Sequence, residues 1–259
     1  MKGVSRTGLR ITTILVAMVV GVVAVILCCC ILLFLNRYRS AMVQSARTTS
    51  AQAVSQVSNT VGNYLRDMNQ AMELVEQSMS ESEDSRDKLL TAFLTFRPDV
   101  VAVTSYSPSG VLLDCWSLDR EPRENIFQNL SFNLDLARAT GGPYMTAPHV
   151  ETLFERYYPW VVTMTAPLSR EGEAAWVSLD LSFSSISSYI NNVSIGQRGY
   201  CFLMDGDGNI VYHPQQQLLY SGLKSEDTAA LAALEDGAYD DDTVIYSLTS
   251  VEGSDWRVV

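Results

Sequence analysis

Read for its alternation of apolar and polar positions, the chain opens on an unbroken apolar run, Ile11 to Leu35, with no charge inside it. At about 1.5 Å per residue, a helix of that length crosses a hydrocarbon core of ~30 Å with room for tilt. The run is too long for a cleaved signal peptide and no small-residue cleavage site follows it, so a retained membrane anchor is expected. Beyond it the pattern turns amphipathic. Val54, Val57, Val61, Tyr64, Met68, Ala71 and Val75 recur at alternating steps of three and four, which places them on one helix stripe. The expectation is a stalk helix over 36–80, free of Pro and interrupted only by Gly62. Its stripe packs onto its own domain, pairs with a second copy, or does both.

After a polar break, Ser80 to Lys88, the residues Leu89, Leu90, Ala92, Phe93 and Leu94 predict a short helix stopped at Arg97-Pro98. The period then becomes two. Val101 to Tyr106 and Val111 to Leu113 read as strands around the turn Ser107-Pro108-Ser109-Gly110. The same design returns in Tyr200 to Met204 and Ile210 to Tyr212, around Asp205-Gly206-Asp207-Gly208-Asn209. Aligning Gly110 with Gly208 gives an offset of 98 residues, which implies two copies of one hairpin-bearing module. Between them the pattern predicts a loop from Asp119 to Asn129 and a helix from Phe132 to Ala139. Two strands follow, Trp160 to Ala166 and Ala174 to Leu181, about a turn at Ser169 to Glu173. Ile186 to Ile190 begins a connecting segment. After Pro214 come a loop, a helix near Thr228 to Leu234, an acidic turn from Glu235 to Asp242, and closing strands Thr243 to Leu248 and Trp256 to Val259. The expected boundaries are a tail at 1–10, a membrane helix at 11–35, a stalk at 36–80, and modules at 81–190 and 191–259. The last strand of the second module is cut short, as in a piece of a longer protein.

Charge sharpens this picture. The net charge is −11, yet Lys2, Arg6 and Arg10 crowd the first ten residues and no acid precedes Asp67. An acidic body excludes nucleic acid as a partner. Arg37, Arg39 and Arg47 on the far side of the apolar run nearly balance the tail, so charge leans only weakly toward an internal N-terminus. Cys28, Cys29 and Cys30 lie in the apolar run as small apolar residues, and Cys115 and Cys201 fall in different modules, so no disulfide is expected.

Chemistry is sparse. Asp205, Asp207 and Asn209 match the first positions of a calcium loop, but Ile210 and Gln216 replace its required Gly and Glu, so the run is a turn. His149 and His213 have no second ligand at metal spacing. No phosphate loop or nucleophile elbow occurs, so no catalytic residue, metal or cofactor is expected. What remains is an aromatic group, Trp116, Phe127, Tyr144, Tyr157, Tyr158 and Trp160, with Arg123 and Asp180. Such a set lines either a small-molecule pocket or an ordinary core and surface. Asp180 stands apart, because it interrupts the apolar strand Ala175 to Leu181 and a carboxylate there needs a partner, a bound amine or a buried donor.

The apolar span running into a long helix, the two hairpin modules, and the run Gly199-Tyr200, Asp205 and Gly208 to Pro214 together carry a resemblance. Over residues 40–259 the chain resembles the double Cache extracellular sensor regions of bacterial transmembrane receptors, most of all those of Gram-positive sensor histidine kinases. The resemblance implies an α+β fold, with two PAS-like antiparallel-sheet modules in tandem after the stalk. It implies a bacterial plasma-membrane protein with a cytoplasmic N-terminus and an extracellular body. It also implies a small-molecule ligand or a solute-binding protein as partner, and a homodimer through the stalk helix. The ligand site falls in the membrane-distal first module, with Asp180 where amino-acid-binding members hold the ligand amine and Tyr144 near a family aromatic. Trp116, Arg123 and Trp160 complete the expected site. The family's Arg-x-Trp-Tyr segment is missing, its counterparts being Ser131, Asn133 and Leu134, so capture of a ligand carboxylate is not supported. The expected role is the input region of a two-component sensor histidine kinase. The alternatives are the sensor region of a methyl-accepting chemotaxis receptor, or an anchored interaction module without a small ligand.

Overall fold

The computed structural model describes residues 5–118, 120–124, 126, 143–168, 174–193, 195, 199–241 and 243–259. The expected helix Phe132 to Ala139, the turn Ser169 to Glu173, Phe127 and part of the loop Asp119 to Asn129 lie outside these residues. The chain divides into two compact units, Met1–Ser50 and Ala51–Val259, and helix α1 (Ser5–Ser78) contributes to each. In the first unit the apolar side chains from Ile14 to Leu35 are exposed, and the helix is long and apolar enough to cross a membrane.

In the second unit every member of the stripe from Val54 to Val75 is buried, joined by Ala53, Leu65 and Met72. The stripe is thus used on the chain's own domain, and a homodimer through this helix needs a different face. Helix α2 (Glu83–Phe96) buries Leu90 and Leu94. It starts six residues before the first expected apolar position, because Glu83 and Asp84 in its first turn suit the positive end of the helix dipole.

The first sheet comprises β1 (Val100–Tyr106), β2 (Leu112–Trp116), β3 (Tyr144–Met145), β4 (His149–Val150), β5 (Trp160–Pro167) and β6 (Trp176–Ser182). All pairings are antiparallel in the order β2-β1-β6-β5-β3, with β4 also on β5. The expected connecting segment is an amphipathic helix, α3 (Phe183–Asn191), burying Phe183, Ile186 and Ile190. The second sheet comprises β7 (Leu203–Met204), β8 (Ile210–Tyr212), β9 (Gly237–Asp241), β10 (Val244–Ser250) and β11 (Arg257–Val258), in the order β8-β7-β11-β10-β9. Helices α4 (Gln216–Tyr220) and α5 (Thr228–Ala232) connect its two halves.

Two expectations need correction. The segment after Pro214 holds α4 rather than only a loop. The acidic turn is mostly strand β9, because β10 offers it a full ladder from Leu248 to Val244, while its acids face water along a sheet edge.

One apolar cluster runs through the whole second unit. The α1 stripe meets Val103, Val162, Met164, Leu179 and Leu181 of the first sheet, Leu203, Val211 and Val258 of the second, and Trp256 just before β11. Polar clamps flank it: Ser58 Oγ donates to the Ser250 carbonyl at 2.7 Å, and Tyr64 donates to Asp99 at 3.1 Å.

The offset of 98 is structural as well as sequential. In the first hairpin, the Ser107 amide donates to the Val111 carbonyl and the Gly110 amide to the Ser107 carbonyl, both at 2.9 Å. In the second, Asp205 and Asn209 are joined in the same way at 2.9 Å, and Gly208 donates to Asp205 at 3.1 Å. The side chains agree: Ser107 Oγ accepts from the Val111 amide at 3.0 Å, and Asp205 Oδ1 from the Asn209 amide at 2.7 Å. Even the register shift recurs, between Ser105 and Tyr106 and again between Leu203 and Met204. Gly110 and Gly208 have φ of 83° and 84°, a left-handed conformation that a side chain strains.

A Cβ on Gly208 would also stand 3.0 Å from the Thr228 carbonyl at the start of α5. Gly208→Ala is therefore expected to destabilise the protein by roughly 1–3 kcal/mol in urea unfolding. An unchanged midpoint would mean that the turn relaxes freely.

Candidate functional site

Residues directly opposite one another in an antiparallel sheet share a face. The pairings Cys115–Thr104, Thr104–Ser178, Ser178–Thr165 and Thr165–Tyr144 therefore lay one row across β2, β1, β6, β5 and β3. A second row on that face joins Ala102, Asp180 and Thr163. This face looks away from the α1 stripe, since Val103, Leu179 and Met164 alternate with these residues and enter the main core. Thr104, Ser178 and Thr165 are fully buried, so a polar face is enclosed inside the protein.

Burial of hydroxyls is tolerable only when they are paired. Thr165 and Ser178 share a 2.8 Å hydrogen bond, Tyr144 bonds the Thr165 side chain, and the Thr104 hydroxyl lies 3.4 Å from that of Tyr106. The cover comes from residues 120–124, 126 and 149–159. Leu153, Phe154 and Ile126 pack onto Ala102, Tyr106 and Leu112. The Arg123 amide donates to the Leu153 carbonyl at 2.9 Å and its Nε to the Phe154 carbonyl at 3.0 Å.

Asp180, 2% exposed, sits in the middle of this face on the central strand. Thr163 Oγ1 donates to its Oδ1 at 2.5 Å. Its second neighbour is Glu151, 7% exposed, one residue beyond β4. Burial, then the Glu151 charge and a direct hydrogen bond to Glu151, raise the Asp180 carboxyl well above the usual carboxylate range, against the Thr163 bond. Glu151 is differently placed, because its Oε1 accepts the amides of Thr152 at 2.6 Å and Leu153 at 2.8 Å. Two carboxyls in contact away from water cannot both ionise cheaply, so they hold one proton between them. Burial, then the charges of Asp180 and Glu151, push the Cys115 thiol up to about 12 and raise the Tyr106 phenol further.

Of the expected site residues, Asp180 and Tyr144 share this face, through Thr163 and Thr165 respectively. Arg123 reinforces the cover and stacks 5.0 Å from the Tyr158 ring. Trp116 lies opposite Val103, on the α1 side, and its Nε1 donates to Asp87 of α2 at 2.8 Å. Trp160, 46% exposed, opens β5 on the alternate parity from Thr163. Neither tryptophan is brought to Asp180. Glu151 went unnoticed because its segment has no strand or helix period. Thr163 became visible only once the β5–β6 register was known.

The second sheet holds a separate buried network. His213 Nδ1 accepts the Gln215 amide at 2.9 Å, which leaves its Nε2 facing Glu226 at 3.4 Å. Glu226 also accepts Tyr200 at 2.7 Å and pairs with Lys224 at 3.2 Å. Burial and the Lys224 charge lower the His213 pKa against Glu226. No metal-holding cluster accompanies this network among the described residues.

The raised Asp180 carboxyl has a consequence for stability. The folded protein keeps a proton that the unfolded chain releases above about pH 3.9. Its stabilising contribution is complete below that value and is lost as pH climbs toward the raised one. Asp180→Asn is therefore expected to gain stability relative to wild type as pH rises above about 4, measured by urea unfolding. Parallel pH profiles would mean that the carboxyl titrates normally.

Comparison with known proteins agrees with this architecture. A search of curated proteins finds the methyl-accepting chemotaxis protein PctB of Pseudomonas aeruginosa, 29% identical over 106 residues. It also finds the methyl-accepting chemotaxis protein PscA of Pseudomonas syringae pv. tomato, 25% identical over 130 residues. These matches cover 40% and 47% of this chain but only 15% and 20% of the relatives. Among solved structures, the ligand-binding domain of P. aeruginosa PctC in complex with GABA superimposes with a TM-score of 0.62 at 17% identity, covering 82% of this chain and 97% of that one. The corresponding domain of PctB in complex with L-Gln gives 0.61 at 19% identity, covering 81% and 87%. The relatives are thus chemoreceptor domains rather than the Gram-positive histidine kinases that the sequence pattern suggested. The Cache domain model matches residues 38–259 without a break, and with its membrane-length helix and two antiparallel sheets the chain belongs to that family.

Proposed function

We propose that this chain is the extracellular input region of a bacterial chemotaxis-type receptor, and that the outer face of its first sheet captures an amine-bearing small molecule. The observation that carries the reading is Asp180. It is a carboxyl buried at the centre of a face whose hydroxyls are already paired, and no Lys or Arg among the described residues acts on it. An ammonium group supplies the partner that the fold withholds. Tyr144, Thr163 and Thr165 border the seat. The names of the curated relatives support the chemoreceptor output over the histidine kinase, and the small ligands in the titles of the solved relatives support small-molecule capture.

On this reading the N-terminus is cytoplasmic and the two sheets stand outside the cell. Ligand transmits a signal only by binding two arrangements of the sensor with different affinity. Residues 120–124, 126 and 149–159 cover the polar face, and α1 packs on its back, so closure of the cover is the natural differential element.

The test is a thermal-shift screen of the full chain in detergent micelles against pools of amino acids and simple amines. At a hundredfold excess over its Kd, a ligand adds about 2.7 kcal/mol, roughly 5–10 °C for a domain of this size. The shift is expected to vanish in Asp180→Ala. A shift that survives this substitution would place the ligand elsewhere, and no shift from any pool would favour the anchored interaction module.

A further inference from the structure

The reading of Asp180 as a ligand group leaves Glu151 unexplained. A buried carboxyl in contact with another is costly, and an apolar residue at 151 would remove that cost. Glu151 is nevertheless held in place on three counts: its amide donates to the Pro159 carbonyl at 2.8 Å, and Oε1 takes the Thr152 and Leu153 amides. Backbone amides pointed at one oxygen stabilise charge there, so the proton of the pair resides toward Asp180.

We propose that Glu151 and Asp180 form a two-carboxyl seat for an organic ammonium ion that carries no carboxylate of its own, and that the ammonium displaces the proton the pair shares. The proposal rests on the reading of the first-sheet face as the ligand site, and it names the ligand class and the residue that selects it. The charges balance. The empty pair with one proton carries −1. When R–NH3+ enters, the proton leaves to solvent, both carboxylates are ionised, and the seat with its ligand again carries −1. No covalent bond changes except the O–H bond of the departing proton.

The groups around the seat are consistent with this exchange. Tyr106 from β1 and Cys115 from β2 face the carboxyls and are held neutral by burial and by the carboxyl charges themselves. Asp114 acts on Cys115 and takes the Ser105 hydroxyl at 3.1 Å. From β4, His149 Nε2 lies 3.4 Å from Thr163 Oγ1, with its Nδ1 near the Ala147 carbonyl at 3.1 Å. From β5, Thr163 gives its proton to Asp180. The cover arginines are engaged elsewhere, Arg120 over the Tyr157 ring at 3.2 Å and Arg123 on the Phe154 carbonyl. A zwitterionic amino acid is a poor occupant. Its own carboxylate adds a charge beside two others, and no described cation on this face receives it.

Isothermal titration of the full chain in detergent micelles tests the proposal with butylamine, 1,4-diaminobutane and L-norvaline, whose decarboxylation product is butylamine. Titrations in phosphate and in Tris at the same pH differ by the buffer's heat of protonation, which counts the protons released. The amines are expected to bind at least ~10-fold more tightly than norvaline. Each should release about one proton per ligand at neutral pH, with affinity rising as pH rises. Glu151→Gln is expected to abolish proton release and weaken the amines, while Glu151→Asp keeps part of both. The wild-type buffer comparison holds whether or not either variant folds. Norvaline binding as tightly as butylamine, or amine binding without proton release, would overturn the two-carboxyl seat while leaving an amine site at Asp180. Heat from none of the three would overturn both.

Discussion

A single apolar stripe on α1 sets the rest of the second unit. Val54, Val57, Val61, Leu65, Met68, Met72 and Val75 form one continuous core with the inner faces of both sheets. Each sheet is therefore closed on one side by the same helix, and chemistry is confined to the opposite side. In the first sheet that opposite side is polar, although it too is covered. A covered polar face is unfavourable unless its groups find partners. The hydroxyls of Thr104, Thr165 and Ser178 find them in one another and in the tyrosines. The Asp180–Glu151 pair has the Thr163 hydroxyl and the Thr152 and Leu153 amides but no cation among the described residues, so a ligand's positive charge has most to add there.

The two modules show how one hairpin serves different ends. Their turns share hydrogen bonds, left-handed glycines and a register shift at the same offset. Beyond the hairpin they diverge. The first sheet has long strands β5 and β6 carrying the hydroxyl row and Asp180. In the second sheet the corresponding side is taken up by Tyr200, Phe202 and His213, with Glu226 and Lys224 closing over them. There Lys224 gives Glu226 an internal opposite, so the network acts as a brace.

Much of the architecture was readable from the chain because it rests on period and turn chemistry. The α1 stripe follows from steps of three and four, the two hairpins from Ser107 to Gly110 and Asp205 to Asn209, and the burial of Asp180 from the apolar residues at its sides. What was hidden depends on partners distant in sequence. Strands β3 and β4 are two residues each and exist only because β5 offers them a ladder. Strand β9 is made of acids and Gly that a local reading assigns to a turn, and β10 decides otherwise. Trp116 and Trp160 read as pocket aromatics by composition, yet strand parity sends them to the α1 side. Glu151 lies in an aperiodic segment, and its contact with Asp180 depends on β4 docking to β5. No local pattern encodes that meeting.

The central claim is that Asp180 is a buried carboxyl held protonated for want of a cation. Carbon-13 NMR titration of its side-chain carboxyl, assigned through Asp180→Asn, measures this directly in the ligand-free protein. The account predicts a resonance that stays in the protonated range at pH values where exposed aspartates have ionised. An Asp180 carboxyl that ionises at or below about pH 3.9 would contradict it, since a charge so readily formed there must already have a partner within the protein.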